Sequence, residues 1–150
     1  MLSKKAKYAL RALEVLAASN GSRWTAHALA VAAEVPGKFL ETILVELRDG
    51  GLIDSTRGAQ GGHRLSRAAQ HIYVGEVIRL IDGPLAPIRC ASVSAYEPCA
   101  DCPDPARCSL RAVMGDVRQA MAEVLDHRSL ADLLRTRPTA LPVSEHARAH

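Results

Sequence analysis

The sequence predicts a mainly α fold with one small β-hairpin and a long C-terminal helix. Three observations carry this. Apolar residues recur at helical spacing in three short blocks before residue 48, separated by turn residues. Leu52, Ile53 and Leu65 then flank a tip that holds Gly58, Gly61 and Gly62, the pattern of two short strands and a tight turn. A longer block, residues 110–127, repeats apolar residues at 4-3 spacing.

In order, Ser3 is placed to cap a helix over about residues 4–19, with Ala6, Ala9, Leu10, Leu13, Leu16 and Ala17 as its buried stripe. Asn20-Gly21 ends it. Thr25 caps a second helix over 26–33, whose apolar face is Leu29, Ala30 and Ala33. After the short connection Glu34-Val35, Pro36 suits the first position of a third helix, about 36–48. Phe39, Leu40, Ile43, Leu44 and Leu47 are expected inward, and Lys38, Glu41, Thr42, Val45 and Arg48 outward or sideways. Two short helices joined by a tight turn form a helix-turn-helix, and the hairpin that follows is a basic wing. The wing strands are expected at 52–55 and through Leu65. Residues 67–70 connect to an amphipathic helix over 72–80, ended by Asp82-Gly83-Pro84. The fold class is therefore a winged helix-turn-helix followed by a long C-terminal dimerisation helix.

Aromatic residues are few, so the core must be built from Leu, Val, Ile and Ala. Lys and Arg exceed Asp and Glu by ten to six up to Arg67 and trail them by nine to ten beyond it, so the excess base lies in the half with the wing. That favours a polyanion partner there. A helix matches the major groove of double-stranded DNA, and its N-terminal half does the reading. Lys38, Glu41 and Thr42, with Arg48 behind, are the candidate readers. Arg57 at the wing tip suits a narrow minor groove. Gln60, His63 and Arg64 are candidates for backbone contacts.

Residues 85–107 hold four prolines, no helical period and three of the four cysteines. Such a segment lacks the apolar burial to order itself, so something else must order it. The spacing is Cys90-x8-Cys99-x2-Cys102-x5-Cys108. Thiolates are soft donors that suit iron–sulfur clusters and zinc. A thiol–disulfide switch is a further reading, as is a thiol oxidoreductase using Cys99 and Cys102; the last lacks the βαβ context such motifs need. Leu110, Met114, Val117, Met121 and Val124 form a seam for a partner helix, which serves a homodimer or a different partner alike. Val113, Ala120 and Leu125 widen that seam, and Ser129 caps a last helical turn over 130–134.

The organisation expected is a DNA-binding unit over 1–83, a cysteine loop over 84–109, a dimer helix and short terminal helix over 110–134, and a disordered tail over 135–150. The N-terminus is basic and then apolar, but Arg11 and Glu14 interrupt the apolar stretch as a signal peptide would not allow. No apolar run reaches the length of a membrane span. A cytoplasmic protein is expected.

The stretches LSKKAKYALRALEVLA, VPGKFLETILVELRDGGLIDSTRGAQGGHRLS and IYVGEVIRLIDG resemble the Rrf2 family of bacterial winged-helix regulators. "FLE" on the third helix and "RGxxGG" on the wing carry the resemblance most closely, and it extends over about residues 3–134. It implies a homodimeric transcription factor that binds operators through two recognition helices and two wings. Many members carry an iron–sulfur cluster on three cysteines of this loop, with a fourth ligand from elsewhere. Cys90, Cys102 and Cys108 match that trio, and Cys99 is an addition. Where relatives place a His after the third Cys this chain has Arg111, and near the N-terminus it has Lys7 and Tyr8 rather than a carboxylate. Cys99 is then the fourth ligand or a spare thiol, and [2Fe–2S] and [4Fe–4S] both stay open. Arg89, Arg107 and Arg111 would offset the charge of a thiolate-bound cluster.

Overall fold

The computed structural model describes residues 2–136. The expected tail therefore lies almost wholly outside the described residues. The first helix, α1 (Lys4–Ala18), starts where the Ser3 hydroxyl accepts from the Ala6 amide at 3.0 Å. Such a cap contributes about 1 kcal/mol. Asp82 ties the same corner down, accepting from the Ser3 amide at 2.9 Å and from the Ser3 hydroxyl.

The helix-turn-helix follows as α2 (Ala26–Ala33) and α3 (Gly37–Asp49), with Thr25 capping α2. Glu34 turns the chain with φ 55°, the left-handed conformation that helix ends favour. The amide of Val35 reaches back to the carbonyl of Ala30 at 3.0 Å, and the Val35 side chain is buried. This is the hydrogen-bonded stop, with its apolar seal, that holds α3 at a set angle to α2. Pro36 stands at the cap of α3 rather than at its first position, a one-residue difference.

Phe39 corrects the expectation: it is 61% exposed. Leu40, Ile43, Leu44 and Leu47 form the inward stripe, and Phe39 sits about a hundred degrees off it. Its ring lies beside Tyr8 of α1, centroids 6.3 Å apart and tilted by 45°.

The wing is an antiparallel pair, β1 (Ile53–Thr56) and β2 (Gly62–Leu65), in register Ile53 with Leu65 and Thr56 with Gly62. Trp24 adds a third rung, since its amide and carbonyl both bond to His63 at 2.9 and 2.7 Å. Gly62 permits this: its φ is 135°, and a Cβ there would stand 2.7 Å from the Trp24 carbonyl oxygen.

A single 3-10 turn leads to α4 (Val74–Asp82), which starts later than expected. The reason is non-local. Ile72 and Val74 bond in extended form to the chain around Ser129, through Leu130 N to Ile72 O at 2.9 Å and Val74 N to Arg128 O at 2.8 Å. The last elements are α5 (Ser109–Leu125) and α6 (Leu130–Arg135); Ser129 and Asp132 form a reciprocal cap on α6.

The core is aliphatic, as the shortage of aromatics requires. α1 lies at its centre against α2, α3, α4 and α6, with Leu13, Leu29, Leu40, Ile43, Leu47, Leu52, Ile53, Ile72 and Leu130 essentially sealed from water. Each such side chain contributes about 1.5–3 kcal/mol by burial. α5 docks on α4 through a second cluster, Val74, Ile78 and Leu85 packed with Met121 and Leu125. No helix among the described residues is long and apolar enough to cross a membrane.

Candidate DNA interface and cysteine site

The outer face of α3 presents Lys38, Glu41, Thr42 and Arg48 to solvent, with Val45 between them. Glu46 turns away and pairs with Lys5 of α1. Arg48, in the last turn, is held by Asp49 at 3.0 Å. At the wing tip Arg57 and Gln60 are exposed, and no ion pair among the described residues includes Arg57. Arg64 is exposed and stands 4.0 Å from Asp54.

His63 is half-buried between α3 and the wing. Its Nδ1 lies 2.7 Å from the Ser55 hydroxyl. Burial first, then the charges of Arg48 and Arg23, lower its pKa below the ordinary histidine value of 6.5. Arg23 is a cation sequence reasoning missed; it donates to the Gly62 carbonyl at 3.3 Å, next to the tip end of the wing. Only the Trp24–His63 pairing brings it there, and no local signal announces that.

The cysteine loop is partly built into the body. Leu85, Cys90, Ala91 and Ser92 are buried, so its first part does have apolar burial, contrary to expectation. Arg111 fastens it: Nε donates to the Cys90 carbonyl at 2.8 Å and the guanidinium lies 5.7 Å from the Tyr96 ring centroid. Arg111 thus positions the loop's backbone. Arg89 is paired with Glu97, so its charge is already offset.

All four thiols are free. The sulfurs of Cys90 and Cys99 stand 3.9 Å apart. Cys99, Cys102 and Cys108 line one open cavity of about 540 Å³, together with Asp101, Asp104 and Arg107. Cys108 also caps α5, its sulfur accepting from the Arg111 amide at 3.4 Å. The sulfur thus sits at the positive end of a 17-residue helix. The Cys99 thiol is pushed up from its ordinary value, first by its hydrogen bond to Cys90, then by the charges of Cys90 and its neighbours and by burial. The donor set, four sulfurs within 19 residues, fits a soft metal centre. Among the described residues no three His, Cys, Asp or Glu side chains already stand at metal-site spacing.

On α5 the expected seam divides. Leu110, Val117 and Val124 are exposed, and so are Val113 and Ala120, giving a continuous outward stripe at 3-4 spacing. Met114 is half-buried, and Met121 packs onto α4 of its own chain. No residue of α5 is buried.

The Rrf2 family model, described as "Iron-dependent Transcriptional regulator", matches residues 2–136. An rrf2-like HTH-type regulator of Rhodobacter capsulatus is 40% identical over 138 residues, covering 89% of this chain and 92% of that protein. The structure of CymR, the global cysteine regulator of B. subtilis, superposes with TM-score 0.72 at 31% identity over 91% of this chain and 98% of that one. T. potens IscR superposes with TM-score 0.70 at 28% identity over 98% and 95%. The chain belongs to the Rrf2 family, and it is a winged helix-turn-helix, DNA-binding transcriptional regulator rather than an enzyme.

Proposed function

We propose that this regulator binds its operator as a homodimer and that an iron–sulfur cluster on the cysteine loop sets the strength of that binding. In this reading Lys38, Thr42 and Arg48 meet phosphates or base edges in the major groove, Glu41 accepts from a cytosine amino group, and Arg57 enters the minor groove. Gln60, His63 and Arg64 hold the wing on the backbone. The DNA-binding unit is residues 1–83, the cofactor loop 84–109 and the dimer helix 110–134. The outward stripe of α5 pairs with its copy. A dimer must set its two recognition helices about 34 Å apart, so anything that moves α5 against α4 changes both half-sites at once.

The observation that carries the cofactor is the grouping of sulfurs: Cys90 and Cys99 3.9 Å apart, with Cys99, Cys102 and Cys108 around one cavity. The family's description as iron-dependent supports iron over zinc. When bound, the cluster would supply a fixed point for the part of the loop beyond Ser92, which the core does not bury. Cys90 anchors it at the buried end, and Cys108 joins it to the start of α5. Four thiolates suit [2Fe–2S] and [4Fe–4S] clusters alike. The test is an anaerobic absorption spectrum with iron, sulfide and zinc counted per chain. Visible absorbance with iron and sulfide, lost in Cys90→Ala, Cys102→Ala and Cys108→Ala, is the expected result. A colourless protein with one zinc per chain defeats it.

One observation favours a second reading. Cys90 and Cys99 are close enough to form a disulfide after a small movement, which would make this pair a redox switch without metal. Mass spectrometry of the oxidised, metal-free protein separates the two, since only the switch requires a reversible Cys90–Cys99 bond.

A further inference from the structure

A second small cavity, about 70 Å³, lies where α4, the start of the cysteine loop and α5 meet. Arg79, Ser92, Ser94 and Arg118 supply its polar wall, and Leu85 and Ala122 part of its apolar wall. Arg118 Nε is sealed from water and has no hydrogen-bond partner among the described residues. None of the ion pairs among those residues includes Arg118. Leaving a buried, charged donor unmet is unfavourable, because the group loses its water without gaining a partner. Arg79 already shares its charge with Asp126, so the cavity keeps a net positive charge from Arg118. Ser92 is buried and its oxygen accepts from the Ala95 amide at 3.0 Å, which leaves its hydroxyl proton free to donate.

A planar guanidinium matches the oxygens of an oxyanion in two parallel bonds. The space equals about two water molecules, the size of one small oxyanion. We propose that the pocket between Arg118, Arg79, Ser92 and Ser94 binds a small tetrahedral oxyanion, inorganic sulfate or phosphate. The bound ion joins the buried end of the cysteine loop to α5, two residues beyond Cys90. This holds whatever the cysteines carry, so its test is independent of the cluster.

The experiment titrates sulfate, and separately phosphate, into the full-length protein at constant ionic strength set by chloride. It follows the side-chain Nε–H signal of Arg118 and the backbone amides of Ser92 and Ser94 by two-dimensional NMR. The expected result is a saturable shift at all three with one or both anions and none with chloride alone; which anion binds tighter assigns the ion. Arg118→Gln should weaken binding at least tenfold, about 1.4 kcal/mol. Arg118→Lys, which keeps charge but not the fork, should recover part of it. Should Arg118→Gln fail to fold, Ser92→Ala serves as the second variant and should weaken binding severalfold. The proposal is overturned if the wild-type signals do not saturate, if the variants shift as the wild type does, or if the Arg118 signal reports a bound water or a carboxylate of a second copy instead.

Discussion

Arg79 of α4 and Asp126 at the close of α5 form a two-pronged ion pair, with guanidinium nitrogens 2.5 and 2.9 Å from the carboxylate oxygens. An acid at a helix C-terminus opposes the helix dipole, so Arg79 is what makes Asp126 acceptable there. Gly75 makes the approach possible, since a Cβ at that position would stand 2.1 Å from Asp126 Oδ1 and 3.1 Å from an Arg79 nitrogen. The pair is a direct polar link between α4 and α5.

Gly75→Ala should therefore push the Asp126 carboxylate aside and weaken this pair, at a cost of at most about 1 kcal/mol for a partly exposed pair, read as a slightly lower midpoint in urea. Asp126→Asn should cost about as much. The Arg79 guanidinium holds the Asp126 carboxyl below the ordinary carboxylate range. The unfolded carboxyl then takes a proton first, so the pair stabilises fully above that range and its contribution fades as pH falls through the folded value. Asp126→Asn should remove that part of the acid sensitivity.

Glu34 pays for the turn between α2 and α3 with a left-handed backbone that glycine adopts without strain. Glu34→Gly should leave the melting temperature unchanged or raise it, by up to about 1 kcal/mol of stability. A fall of that size would show that the Glu34 side chain contributes in a way the turn geometry does not reveal.

His63 gives a second pH window. Its folded pKa lies below 6.5 because burial and two arginines oppose its charge. As pH drops below 6.5 the unfolded chain binds the proton first, so folded stability should decline until the folded pKa is passed. His63→Gln should flatten the urea midpoint between about pH 7.5 and pH 5.5, a range set by the ordinary histidine value. An equally steep dependence in the variant would place the effect elsewhere.

Much of this was legible from local chemistry. Ser3, Thr25 and Ser129 cap helices because their hydroxyls stand one residue before an apolar-periodic block. The wing glycines announced the hairpin. What depended on distant partners was not legible. Periodicity places Phe39 near the inward stripe, but the exact rotation of α3 against α1 leaves it outside. The apolar residues of α5 form two adjacent stripes, and spacing alone does not say that Met121 belongs to the chain's own α4 while Val113 and Ala120 face out. Ile72 looked helical because its pairing with the chain around Ser129 lies far off in sequence. The cysteines declared a soft donor set, while the burial of Cys90 and the role of Arg111 as a clamp on its carbonyl needed the fold.

The DNA interface can be tested one side chain at a time. Arg57→Ala should weaken operator binding by about tenfold to a hundredfold at fixed salt, while Glu41→Ala should relax base preference at one position of each half-site. Fluorescence anisotropy on a panel of singly altered operators reads both. Wild-type behaviour in both variants would mean that α3 and the wing meet DNA by another face.

The most direct measurement compares operator affinity for one preparation before and after the sulfur-bound cofactor is removed, without air and at a single salt concentration, because salt alone shifts such constants by orders of magnitude. The expected result is a change of at least tenfold, about 1.4 kcal/mol, absent in Cys90→Ala. Equal affinity for loaded and stripped protein would contradict cluster control and leave a winged-helix regulator whose cysteines serve another end.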